Sequence, residues 1–262
     1  MLDRNKLISH LYDEHEQFLG RHIIDKLEMV LERKGIENTN FLNPYESELA
    51  LGVINQVSDI NYLIDGGYQG AERKRISIFP DYLFMDSIEN QVSILKISGN
   101  FKFQQITHRD FLGALMSLGI KREMIGDILI LDDFTQVIIA LELEDFIQLK
   151  LNRVHQIPVE VKKIRRDDLV EAQENTREIN ATVASMRLDA VASAGFGDSR
   201  SKISRDIKGE KVKLNWKMIS NPASRVEIED MISIRGRGRV KVKSINGKSH
   251  RGRIKLSLLR YT

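Results

Sequence analysis

The sequence predicts an α+β multidomain protein: a small N-terminal α/β unit, a central βαββαβ domain and a compact, strongly basic C-terminal domain. Three observations carry that expectation. Apolar residues first recur at helical spacing, then give way to two short apolar runs around a glycine-rich loop. Residues 92–164 next alternate strand and helix patterns in the order βαββαβ. Finally, charge is segregated. Residues 186–262 hold 19 Lys+Arg against 7 Asp+Glu, a net +12, whereas residues 1–185 hold 21 against 30, a net −9. At 262 residues the chain has room for two or three small domains. The expected boundaries are 1–85, 86–165, a linker at 166–180, and 181–262.

Residues 3–34 read as helical, with Leu7, Leu11, Phe18, Leu19, Ile23, Leu27, Val30 and Leu31 at three- and four-residue spacings. Gly20 is expected to bend or split that helix, and Gly35 to close it. Asn43-Pro44 opens a second helix as N-cap and first helical residue, running to about Val57. Runs 60–64 and 75–79 read as strands flanking Gly66, Gly67 and Gly70. In the central block, 92–99 is a strand. Residues 107–120 are a helix capped by Thr107, with Phe111, Leu112, Leu115 and Leu118 inward. Strands at 126–131 and 135–143, a helix at 143–154 and a strand at 158–164 complete the ferredoxin-like order. The charged stretch 165–180 reads as linker.

In the basic domain, 181–186 reads as a short strand and 187–194 as a two-turn helix with Leu188 and Val191 inward. Asp198 or Ser199 caps a helix through Lys208. On it, Ile203 and Ile207 share one face. Ser201, Ser204, Arg205 and Lys208 lie opposite, and Arg200 and Lys202 flank them. Strands follow at 211–215 and 231–235, then hairpins with Asn246-Gly247 as a tight turn. Arg235, Arg237 and Arg239 alternate, so on a strand all three point one way as a cationic row for phosphates. Trp216, beside Lys217, suits either base stacking or packing of a strand end. So uneven a charge distribution points to a polyanionic partner.

Residues 186–240 resemble the S4 RNA-binding domain. The resemblance rests on Arg187-Leu188-Asp189, Ser199-Arg200-Ser201, residues 207–212 (IKGEKV), Asn215 and residues 230–236 (DMISIRG). It implies that Arg187, Ser199, Arg200, Lys202, Arg205, Lys208 and Lys211 face structured RNA. Asp189 reads as structural, orienting Arg187 or satisfying local backbone amides. Residues 66–82 (GGYQGAERKRISIFPDY), 107–128 (THRDFLGALMSLGIKREMIGDI) and 183–193 (VASMRLDAVAS) extend the likeness to nearly the full chain. They resemble the YlmH family of bacterial S4-domain proteins. That resemblance implies a non-enzymatic protein on ribosomal RNA and tRNA of the large subunit, in quality control of stalled subunits. It also implies a link to cell division.

Other classes find little support. With no cysteine, thiolate catalysis, disulfides and Cys-based metal sites are excluded, and a reducing cytoplasm fits. No run approaches the roughly 20 apolar residues of a membrane span. The six histidines have no metal spacing. Asp132 and Asp133 read as solvated acids at a hairpin. The glycine loop fails the P-loop pattern and reads as turn geometry. Arg73, Lys74 and Arg75 just beyond it keep a second, phosphate-binding role open. The central strands 92–98 and 135–142 lack base-stacking aromatics, although Lys96, Lys102, Arg109, Lys121 and Arg122 remain available for RNA. The expectation is therefore a cytoplasmic monomer without cofactor, metal or membrane. Two alternatives stay open: an RNA-modifying enzyme with an unrecognised N-terminal active site, and an adaptor whose acidic N-terminal region binds proteins.

Overall fold

The computed structural model describes residues 2–89, 91–101, 106–172 and 175–261; Lys102 and residues 173–174 of the expected linker lie outside them. The chain forms two compact units, Met1–Ala172 and Gln173–Thr262.

The first unit begins with α1 (Arg4–Leu7), α2 (Glu14–Arg33), β1 (Glu37–Asn38), α3 (Pro44–Ile54), β2 (Ile60–Asp65) and β3 (Arg75–Pro80). The single helix expected over 3–34 is two. The break falls at 8–13, and Asp13 restarts the chain with a capping box to Glu16. Gly20 does not split α2, which runs unbroken through it. A Cβ there would come within 2.7 Å of Leu11 and 2.8 Å of Ile8, so the glycine lets the preceding segment lie against the helix. Asn43 caps α3 with Pro44 in its first turn, and the helix stops at Ile54 rather than Val57. The strands form an antiparallel sheet β1-β3-β2. Ile23, Leu27 and Val30 of α2, Val53 and Ile54 of α3, and Ile76 and Ile78 of β3 share one core.

The same unit continues with β4 (Val92–Gly99), α4 (His108–Ser117), β5 (Ile125–Ile130), β6 (Phe134–Ala140), α5 (Glu144–Lys150), β7 (Arg153–Val154) and β8 (Ile157–Ile164). Their antiparallel sheet has the order β5-β6-β4-β8-β7. The first strand thus lies between the third and the last, as the split-βαβ pattern requires. Thr107 and Asp110 form the capping box of α4; its Phe111 and Leu115 are buried against Leu95, Ile97, Val137 and Ile139. Leu112 and Leu118 are only half-buried. Asp132 and Asp133 are exposed between β5 and β6.

The second unit holds β9 (Thr176–Val183), α6 (Leu188–Phe196), α7 (Arg200–Lys208), β10 (Val212–Leu214), β11 (Lys217–Met218), β12 (Met231–Ile234), β13 (Gly238–Lys248) and β14 (Ile254–Tyr261). Its six-stranded antiparallel sheet runs β11-β10-β12-β13-β14-β9. Leu188, Val191, Phe196, Ile203 and Ile207 of the two helices pack on Val212, Ile232, Val240, Val242, Leu256 and Leu258.

Three expectations need correction here. Residues 176–180 are strand, not linker, because Ile179, Ala181 and Val183 alternate toward the core along the full pairing with β14. Asn246-Gly247 lies inside β13, where the register to β14 shifts between Ile245 and Lys248 and Gly247 has φ +82. That is a bulge. The chain reverses instead at 249–252, closed by bonds from Ser249 N to Arg253 O and Gly252 N to Ser249 O. Third, Arg235 and Arg237 sit in the turn between β12 and β13 while Arg239 lies on β13, so the three do not form one row.

Candidate nucleic-acid interface

The basic unit is organised by one buried carboxylate. Asp189, in the first turn of α6, is 4% exposed. Its Oδ1 accepts Arg187 Nε at 3.2 Å and Arg200 Nη2 at 2.9 Å, and its Oδ2 accepts Arg187 Nη2 at 3.1 Å. Burial opposes its ionisation, but hydrogen bonds and charge from the two arginines hold its pKa below the usual carboxylate range. Arg187 and Arg200 are thereby anchored at the starts of α6 and α7, yet remain 43% and 49% exposed. The orienting role expected for Asp189 fits this geometry and extends to a second arginine.

Helix α7 divides by face as its pattern predicts. Ile203 and Ile207 are buried, and Arg205 and Lys208 are exposed on the other side. Ser199 caps the helix by accepting Lys202 N at 3.3 Å, and its hydroxyl lies 3.2 Å from that of Ser201. Lys202 pairs with Asp198 at 2.9 Å, and Lys211 reaches Asp206 at 3.9 Å. Among the described residues, Arg205, Lys208 and the exposed Lys213 have no carboxylate partner. Lys213 is a residue that sequence reasoning missed. Its signal was the alternation of 211–215, where buried Val212 turns Lys211 and Lys213 outward.

Asn215 and Trp216 form the two-residue turn between β10 and β11, with φ +47 and +63. Both values suit the mirror-image turn that matches strand twist, and Asn is favoured there. Asn215 also donates to Asp230 at 2.7 Å and accepts Met231 N at 2.8 Å. Trp216 is half-buried and Lys217 exposed.

The arginines near β12 separate by role. Arg235 is exposed in its turn. Arg237 pairs with Asp198, donates to Asp206 at 3.1 Å and stands 5.5 Å over the ring of Phe196. It therefore ties the β12–β13 turn to both helices rather than reaching outward. Arg239 lies over Tyr261 at 5.6 Å.

The run 73–75 is also internal. Arg75 is 4% exposed; it donates to Thr39 O and Gln91 O at 2.8 Å and makes a fork to Glu142 at 2.9 Å on each oxygen. Arg73 donates to Phe41 O at 2.7 Å and Ile125 O at 3.2 Å, and burial lowers its pKa. Neither guanidinium is presented to a phosphate. Lys74 is half-buried beside Asp65, Tyr68 and Arg166 in a cleft of about 510 Å³. Asp127 fixes the loop by accepting Tyr68 Oη at 2.9 Å, Glu72 N at 2.7 Å and Arg73 N at 3.1 Å. No group of three or more His, Cys, Asp or Glu among the described residues is placed to hold a metal, and no helix there is long and apolar enough to cross a membrane.

Comparison with known proteins agrees with this layout. Three family models match in succession: "YlmH, N-terminal" over residues 14–83, "Putative RNA-binding domain in YlmH" over 86–168, and "S4 domain" over 186–232. A Bacillus subtilis relative, named ribosome-associated protein quality control protein P2, is 33% identical over 232 residues, covering 88% of this chain and 90% of its own length. A solved structure, cell division protein ylmH from Streptococcus pneumoniae, is 22% identical with a TM-score of 0.53. It covers 61% of this chain and 97% of its own, a likeness of fold. With consecutive family models along its length and a relative of that identity and coverage, the chain belongs to the YlmH family and carries an S4 domain.

Proposed function

We propose that this protein is a non-enzymatic RNA-binding factor of ribosome-associated quality control. In this reading it docks on ribosomal RNA and tRNA of the large subunit through the outer face of α7 and the flanking helix starts. One observation carries the reading: Arg205 and Lys208 project from α7 without a carboxylate partner among the described residues, in the same unit as two half-exposed arginines that Asp189 holds in place. Unpaired cations of one sign on one face repel each other, and a phosphate backbone relieves that repulsion. Arg187 and Arg200 supply planar guanidiniums for phosphate oxygens, Lys208 a point charge, and Ser199 a hydroxyl beside free amides at a helix start. The name of the Bacillus subtilis relative, a ribosome-associated quality control protein, supports the ribosome as the site of action. The test is co-sedimentation with ribosomal subunits. Arg205→Ala with Lys208→Ala is expected to release the protein into the supernatant without unfolding it; unchanged co-sedimentation overturns this surface.

A second reading concerns the acidic first unit. Tyr82, Phe84 and Met85 follow β3 at 59%, 83% and 53% exposure, which favours a protein-binding role beside the RNA role. Association with a protein partner that survives RNase and is lost on Tyr82→Ala supports this reading; association abolished by RNase opposes it.

A further inference from the structure

The sheet of the second unit has a core face that extends past its helical cover. Residues directly opposite in an antiparallel pair point to the same side. Ile245 pairs with Leu256, which is 1% exposed in the core, and Ile254 lies two residues before Leu256 on the same strand. Both isoleucines therefore face the core side, yet Ile245 is 42% exposed. Register shifts flank this residue on β13, between Val242 and Ser244 and between Ile245 and Lys248. Across from it stand Met186, Val226 and Ile228, the last 49% exposed, and together they line a cleft of about 750 Å³. An apolar cleft is out of place in a domain whose surface is otherwise cationic.

The rim of the cleft is charged. Arg187 and Arg225 both line it and face each other in an isolated antiparallel bridge, tied by the bond from Val226 N to Met186 O at 2.8 Å. Like charges directly opposite one another repel; here Asp189 partly offsets Arg187, and Glu227, which also lines the cleft, partly offsets Arg225. Arg225 is 83% exposed and only loosely held by Glu227 at 3.4 Å. Arg187 also belongs to the Asp189 group, so the cleft is continuous with the face of α6 and α7.

We propose that this cleft takes an unpaired, extruded nucleotide of the bound RNA, its base between Ile228 and Ile245 and its phosphate beside Arg187 and Arg225. The proposal rests on the RNA reading above and names the feature of the RNA that is recognised: a bulge or loop rather than a continuous duplex. Bases leave the stack readily where they are unpaired, and apolar walls accept any base face.

The test uses the full chain and two RNA hairpins, one with a single bulged 2-aminopurine and one fully paired. The bulged hairpin is expected to bind at least about fivefold tighter, with a change in 2-aminopurine fluorescence. Ile228→Asn and Ile245→Asn, made separately on exposed residues of different elements, are expected to abolish that preference. They should leave affinity for the paired hairpin intact, which also reports that each variant is folded. Equal affinity for both hairpins, or a preference that survives both substitutions, overturns the inference while leaving the RNA face standing. Failure to bind either hairpin overturns both.

Discussion

Residues 73–75 and residues 200–208 are both basic stretches, and they end in opposite places. Arg75 is enclosed by two carbonyls and Glu142, and Arg73 by two more carbonyls. Arg205 and Lys208 meet solvent, with no carboxylate of the described residues paired to them. Cation density does not separate the two. What separates them is whether the fold returns an acceptor to each cation. A strand that is buried on every residue, as β3 is, must satisfy its arginine internally. An amphipathic helix packed through two isoleucines has no such demand on its outer face.

The contrast can be broken at four points, in descending order of effect on stability. Arg75→Ala empties the space of a 4%-exposed guanidinium and removes its bonds to the buried Thr39 carbonyl, to Gln91 O and to Glu142, and should destabilise the first unit by about 3 kcal/mol. Chemical denaturation followed by circular dichroism reads that loss, and RNA affinity should be unchanged. Asp189→Asn removes the charge that holds Arg187 and Arg200 and should cost the second unit about 2 kcal/mol at neutral pH. Trp216, the single tryptophan, reports that transition.

The same residue gives a pH dependence. Because the folded-state pKa of Asp189 is lowered, its contribution is complete above the ordinary value near 4. It is lost as pH falls through the lowered value. The parent protein should therefore lose stability in acid more steeply than Asp189→Asn. Parallel profiles would contradict the role given to this carboxylate.

Arg237→Ala, which removes contacts to Asp198, Asp206 and the face of Phe196, should cost about 1 kcal/mol. The salt dependence of RNA binding should not move, whereas a residue on a phosphate would change it. Arg205→Ala with Lys208→Ala should alter stability by less than about 0.5 kcal/mol.

Much of this was legible in the sequence. The βαββαβ order, the Asn43-Pro44 helix start and the two faces of α7 follow from spacing and capping alone. The segment 176–180 was obscured because Arg177 and Glu178 mask the alternation of Ile179, Ala181 and Val183. Asn246-Gly247 carries the chemistry of a hairpin turn, but pairing with β14 continues past it and absorbs the glycine as a bulge. The fates of Arg75 and Arg237 depended on Glu142, Asp198 and Asp206, acids that tertiary packing brings near and that local pattern does not reveal. Within the candidate interface, the anchored and outward cations could be separated only once their acceptors were located. Exposure on one helix face was readable, and internal pairing was not.

The central claim is that the outer cations of α7 meet phosphates, and the salt dependence of RNA affinity tests it most directly. If about five phosphates are neutralised, log K should fall against log salt with a slope of roughly −3.5 to −4.5. Arg205→Ala with Lys208→Ala should make that slope shallower by about 1.4 to 1.8 at unchanged stability. An affinity independent of salt, or a double variant with the parent slope, would contradict the account.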